Sequence, residues 1–177
     1  MRIRAALAVP VAAAAVLLAA QPSHAVTTAT APTDRARPVR CAEASLTVRA
    51  KAVPGDPAVV RMSVANPGAR ACAVDRVPTV TFGNLDGAAL PVPAGSTGGY
   101  RLAAGATVYA DVRTIADPAD REARRTDSLT VAASAAHRGR SFTAGRLGTG
   151  TRVLVWEPVT TWWQPTAAAA DRAIGLS

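Results

Sequence analysis

The residues of this chain that could do covalent chemistry are few and poorly arranged for it. General acid–base and nucleophilic catalysis need a histidine, or paired carboxylates, beside a nucleophile. Beyond residue 25 there is one histidine, His137, in Ala136-His137-Arg138-Gly139-Arg140. The flanking arginines oppose a protonated imidazole, so His137 reads as a surface-loop residue. Ser96 sits in Ala94-Gly95-Ser96-Thr97-Gly98, which lacks the first glycine of a nucleophile elbow, and no Asp or Glu clearly completes a triad. Asp117, Asp120 and Glu122 could attract a cation, but they suit the start of a helix better. A metal site needs three or four convergent ligands. One histidine and two cysteines do not supply them. The expectation is therefore no catalytic residue, no metal and no cofactor.

Side chains able to bind without reacting fall in two clusters. Arg121, Arg124 and Arg125 form a small basic group, with Arg138 and Arg140 near in sequence. They could contact an anionic wall polymer or nucleic acid. However, Asp117 with Arg121, and Asp120 with Arg124, are four residues apart, and internal ion pairing on a solvated face accounts for them better. Nucleic acid is not the expected partner. Trp156, Trp162 and Trp163 lie within eight residues in a chain that is only 4% aromatic. An exposed Trp162–Trp163 pair could stack on a sugar ring or a partner surface. The plainer reading, preferred here, puts Trp156 in the core and has Trp162 and Trp163 clamp the C-terminal tail.

The compartment is read from the N-terminus. Met1-Arg2-Ile3-Arg4 is a basic start, Ala5 to Ala20 an uncharged apolar run, and Ser23-His24-Ala25 a small-residue cleavage signal. Residues 1–25 are expected to be a secretory signal peptide cut before Val26, with cleavage after Ala20 the second choice and a retained anchor the alternative. The run is shorter than the roughly 20 residues that span a bilayer, and no later stretch approaches that length. Its removal leaves eighteen basic against twelve acidic residues in one domain's length of chain. Lys51 is the only lysine. Abundant Ala, Gly, Pro, Val and Arg reflect a GC-rich genome, as in actinobacteria, so the arginine count alone says little about ligands. An oxidising compartment favours a bridge between Cys41 and Cys72, the one pairing two cysteines allow; the alternative is two free thiols.

The elements that must position these residues are strands. Val26 to Arg40 has no apolar period and reads as a disordered linker. Leu46, Val48 and Ala50 alternate with Thr47, Arg49 and Lys51, and Val60, Met62 and Val64 alternate with Arg61, Ser63 and Ala65. Pro54-Gly55-Asp56-Pro57 turns one strand into the other. That hairpin brings Cys41 and Cys72 to one end, which supports the bridge. Further strands are expected at Val77–Phe82, at Ala88–Val92 after an Asp86-Gly87 turn, at Tyr100–Leu102, around Val108–Val112, around Leu129–Ala133 and at Ser141–Ala144. Arg152–Val159, apolar on both faces, is the last strand. Helical turns are expected at Asp117–Glu122 and a short helix at Thr166–Ile174. Seven or eight short strands with turns between them specify an all-β antiparallel sandwich over 41–160, with a tail at 161–177.

Cys41, the strand end Val64-Ala65-Asn66-Pro67-Gly68, Cys72, Pro78, Asp86-Gly87, Leu102-Ala103-Ala104-Gly105 with Ala110, and the closing Leu154-Val155-Trp156-Glu157-Pro158-Val159 occur in an order that resembles a secreted actinobacterial family, domain of unknown function 4232. The resemblance spans about Cys41 to Val159. It implies an immunoglobulin-like sandwich and no assigned activity. Arg76 departs from the family's usual glycine, and a second cysteine pair common in the family is missing as a pair. The expected function is a secreted, non-enzymatic domain with a binding or structural role at or outside the cell envelope. A cell-wall polymer hydrolase is the rival, to be recognised by a cleft with two carboxylates. A polyanion-binding module is the third reading, to be recognised by arginines gathered on one face. A partner polymer or protein of the envelope fits all three.

Overall fold

The computed structural model describes residues 39–95 and 98–176. The signal peptide expected over 1–25 and the linker as far as residue 38 lie outside them. The linker's last two residues are already paired: Ala73 donates to the Val39 carbonyl and Cys41 to the Ala73 carbonyl, each at 2.9 Å. Arg40 adds an ion pair to Asp75 at 2.7 Å.

After a single 3-10 turn at Glu43–Ser45, β1 (Thr47–Val53) and β2 (Asp56–Ala65) form the expected antiparallel hairpin, with Thr47 opposite Ala65 and Lys51 opposite Arg61. The alternation read from the sequence is the alternation seen: Val60, Met62 and Val64 are buried while Arg61 and Ser63 face outward. Next come β3 (Cys72–Asp75), β4 (Thr79–Phe82), β5 (Leu85–Ala88), β6 (Leu90–Val92), β7 (Gly99–Leu102) and β8 (Thr107–Arg113). Last are β9 (Arg124–Thr126), β10 (Ser128–Ala132), β11 (Arg140–Thr143), α1 (Ala144–Leu147), β12 (Val153–Val155), β13 (Val159–Thr161) and α2 (Ala167–Ile174).

The chain is an antiparallel β-sandwich, as its alternation specified. One sheet has the order β1-β2-β8-β13-β6 and the other β11-β10-β4-β5, with β12–β9 and β3–β7 as separate pairs. Among the described strand pairs only β13–β6 is parallel, with one further parallel bridge between Arg40 and Ala73. Between the sheets lie Met62, Val64, Val108, Ala110 and Val112 from the first and Val80, Phe82, Leu129, Val131 and Phe142 from the second. Edges β1 and β11 stand on one side of the molecule, edges β6 and β5 on the other.

Four local expectations give way. Asp86-Gly87 is not the turn: the chain reverses at Gly83-Asn84, and Asp86 and Gly87 lie in β5. Gly83 has a φ of 50°, and a Cβ there would overlap the Thr126 hydroxyl, so the close approach of β9 fixes the turn three residues early. The return strand is consequently Leu85–Ala88, and Leu90–Val92 crosses to pair with β13.

Asp117–Glu122 forms two successive turns in place of helical turns. Asp117 accepts from the Ala119 N–H and Asp120 from the Glu122 N–H, both at 2.8 Å. Such local bonds compete with helix propagation. The short helix between late strands is α1, capped by the Thr143 hydroxyl and ended at Gly148. Finally, Arg152–Val159 is not one strand: it breaks at Trp156–Pro158, leaving β12 on β9 and β13 on β8 and β6. Breaks of this kind raise the strand number to thirteen among the described residues.

Cys41 and Cys72 form the expected disulfide, with Cα atoms 4.9 Å apart. The same corner holds the 134–140 loop. The Glu43 carboxylate accepts the Arg138 N–H at 3.0 Å and the Gly139 N–H at 2.6 Å. Those bonds, that of Arg138 first, hold the Glu43 carboxyl below its ordinary value.

Candidate functional site

A long concavity runs along β1, beside β11 and α1. It is a groove of about 610 Å³ walled by residues 47–54 on one side and by β11 and α1 on the other. Strand alternation puts Arg49 and Lys51 on one face of β1, and Arg61 stands opposite Lys51 on β2. Arg140 from β11 and Arg146 from α1 reach the groove from the second sheet. Five cationic side chains and no carboxylate line it.

The five are not equivalent. Arg61 is neutralised from below by two aspartates: its Nε donates to Asp111 Oδ1 at 3.2 Å and its Nη2 pairs with Asp171 of α2. Arg140 Nη1 donates to the Val48 carbonyl at 3.2 Å, and its guanidinium lies over the Phe142 ring, 5.4 Å from the centroid. This fixes the cation across the mouth of the seam. Among the described residues Arg49, Lys51, Arg140 and Arg146 form no ion pair. Arg49, Lys51 and Arg146 are exposed.

Asp111 is linked to α2 through Arg61, which pairs with both Asp111 and Asp171. It is 0% exposed on the outer face of β8, and its second carboxylate oxygen has no partner among the described residues. Burial holds its carboxyl above the ordinary aspartate value, partly offset by Arg61. A raised carboxyl binds its proton more tightly folded than unfolded, so its contribution to stability is greatest in acid and is lost as pH rises through the folded value. Relative to Asp111→Asn, the native chain should therefore lose stability as pH rises from below the ordinary aspartate value through the raised folded one. Denaturant midpoints of the two proteins across that range check this; a constant difference would refute it.

The residues singled out by sequence are dispersed. Arg121 is exposed in the turn before β9. Arg124 and Arg125, adjacent on β9, open into different hollows: Arg124 toward Trp156 and Glu157, Arg125 toward Asp127 and Arg152. Neither expected pair, Asp117–Arg121 nor Asp120–Arg124, is an ion pair among the described residues, because the stretch that would have spaced them helically is not a helix. His137 is half-buried, not a free surface-loop side chain. Its Nε2 lies 3.1 Å from the Cys41 carbonyl, so the ring ties the loop to the disulfide corner.

The tryptophans exchange roles. Trp163 fills the core at 3% exposure, whereas Trp156 is half-buried. Trp162 does clamp, but onto the loop after β6: its indole N–H donates to the Pro93 carbonyl at 3.0 Å and the Arg76 guanidinium covers the ring at 4.6 Å. Trp163 can touch no ligand, and one face of Trp162 is already taken. The groove cations Arg49, Lys51 and Arg146 were missed. The available signal was the outward alternation of β1, but nothing local marks that strand as a sheet edge or brings Arg146 to it from nearly a hundred residues away.

A family model, domain of unknown function (DUF4232), matches residues 41–163. The chain belongs to this family. No curated protein and no solved structure matches it. The DUF4232 match begins at the first bridged cysteine and ends at the core tryptophan, so it encloses both sheets and leaves α2 outside. Within the matched residues, Arg76 spreads over Trp162, and its carbonyl accepts the Trp163 N–H at 3.2 Å. Among the described residues of this DUF4232 domain no helix is long and apolar enough to cross a membrane, and no three His, Cys, Asp or Glu side chains gather as a metal site.

Proposed function

We propose that this chain is an exported, non-enzymatic binding domain that holds an anionic polymer at or outside the cell envelope, in the groove between β1 and β11. The observation that carries the reading is the convergence of Arg49, Lys51, Arg140 and Arg146 on one groove that no carboxylate lines. Like charges held together repel in the free protein, and a polyanion relieves that repulsion while releasing its own counterions. An open groove along a strand suits an extended chain better than a compact ligand. Export is supported by the N-terminal signal pattern and by the disulfide, a bond kept in oxidising compartments.

The rival, a wall-polymer hydrolase, requires two carboxylates in a cleft. Asp86 and Glu157 do line one small cleft, but both are exposed to water and neither neighbours a histidine or a metal-type cluster. Binding remains the better account of the molecule.

Fluorescence anisotropy with labelled long-chain polyphosphate tests the proposal. Affinity should fall steeply with salt, and the triple change Arg49→Glu, Lys51→Glu, Arg146→Glu should weaken it at least about tenfold at low salt. The control Arg121→Glu, Arg124→Glu, Arg125→Glu should leave it nearly unchanged. Equal losses in both variants would mean that net charge alone attracts the polymer, and the groove assignment would fall.

A further inference from the structure

We infer that the cleft on the opposite side of the sandwich, between the β4–β5 hairpin and the Trp156–Pro158 bend, binds a sugar ring. It lies at the β5 edge, away from the cationic groove at β1 and β11, and its ligand class is different.

The cleft is about 270 Å³, just below the roughly 300–1,000 Å³ of most small-molecule sites, which suits a single ring. Its lining is an unusual mixture for so small a space. Trp156 supplies an aromatic surface, Asp86 and Glu157 supply carboxylate acceptors, and Arg124 supplies a guanidinium donor. A pyranose has an apolar face of C–H groups and a rim of hydroxyls, each both donor and acceptor. Stacking on an indole takes the face; carboxylates and a guanidinium take the rim. A purely apolar ligand would leave these charged groups unmatched.

The backbone is bent at this cleft. Val153 to Thr161 is apolar enough to continue as one strand, yet it breaks after Val155. Glu157 takes a φ of 45°, the one non-glycine residue with positive φ among those described. A left-handed glutamate is unfavourable, and such residues persist where surrounding structure holds them and cluster at binding sites. The holding contacts are present on both sides: the Trp156 N–H donates to the Thr114 carbonyl and the Leu90 N–H to the Pro158 carbonyl, each at 2.9 Å. Glycine would make the same bend without strain. With glutamate there, the bend adds a carboxylate to the cleft that Trp156 lines.

The other two tryptophans narrow the choice. Trp163 is consumed by the core, and Trp162 by Pro93 and Arg76. The Trp156 ring has no hydrogen-bonding or cationic partner among the described residues and, unlike Trp163, is not buried; the core at this point is closed by Val153 and Val155 instead. The half-buried ring lines the cleft.

Two-dimensional amide NMR of the mature protein, titrated with cellotetraose, maltotetraose and the β-1,4 tetramer of N-acetylglucosamine, tests the assignment. At least one sugar should shift the Trp156 indole signal together with Gly87 and Arg124, with a Kd of about millimolar or tighter. Trp156→Ala should weaken it at least about tenfold and Trp156→Phe should restore part of it. Glu157→Gly should also weaken binding without lowering the melting temperature, because glycine accepts the bend, so a failure to fold cannot mimic the result. No shift at these residues with any of the sugars up to about ten millimolar overturns the proposal. So does a response to tetramethylammonium with none to sugar, which would make the cleft a cation site. Polyphosphate binding at β1 reads out separately, so either site can fail alone.

Discussion

Trp163→Ala is expected to remove about 3–5 kcal/mol of stability, the range for truncating a large aromatic in a packed core. Trp163 is 3% exposed and belongs to the same cluster as Met62, Val112 and Leu129. Small aliphatics and alanine supply most of that cluster, so the space the indole leaves would be poorly refilled. For a domain of this size 1 kcal/mol moves the melting temperature by roughly 3–4 °C, so the midpoint should fall by roughly 9–20 °C. The variant Trp163→Phe should be much milder. It loses volume, but it also removes a buried indole N–H that has no partner among the described residues, a group that costs about 1–3 kcal/mol when left unsatisfied. Trp156→Ala, at a half-buried ring, should lose less than Trp163→Ala. Thermal unfolding of the three variants gives the order directly. If Trp156→Ala proved the most damaging, the assignment of Trp163 to the core would be wrong.

That order is the reverse of what the sequence alone suggests, and the reason is instructive. In Arg152–Val159 a continuous apolar run implies a covered strand, and Trp156 sits in the middle of it. Periodicity carries no information about a backbone bend at Glu157, which moves the ring to the edge and lets the following residues restart with a new facing. The hairpin of β1 and β2 was legible because its two alternations and its turn signal agree with one another. β3 and β9 were not: each has three or four residues, too few for a period, and each is a strand only because β7 or β12 pairs with it. The cationic groove was half legible. Arg49 and Lys51 announce an outward face, but the approach of Arg140 and Arg146 is a property of how the two sheets stack, and the Arg121–Arg125 cluster drew attention away because proximity in sequence is not proximity on a sheet. On β9 adjacent residues point to opposite faces, which is enough to dissolve that cluster.

Replacing both bridged cysteines should cost a comparable amount. For a closed span of 31 residues the chain-entropy account gives about 3–4 kcal/mol, and the Cys41→Ala, Cys72→Ala protein should unfold at correspondingly lower denaturant. The distribution of the loss is the sharper expectation. Cys41 precedes the turn that carries Glu43, and its carbonyl meets His137, while Glu43 holds the Arg138 and Gly139 amides. The bridge therefore anchors the 134–140 loop as well as the start of β1. That loop leads directly into β11, whose Arg140 spans the groove to Val48. Without the bridge, amide exchange should accelerate first at Arg138 and Gly139, while β2 and β8 keep their protection until the whole domain unfolds. Polyphosphate affinity should fall as well, since Arg140 would no longer be fixed across the seam. Hydrogen exchange on native and double-alanine proteins separates this from a uniform loss. If every amide lost the same protection, the bridge would act only on the unfolded chain and the link from the disulfide corner to the groove would be absent.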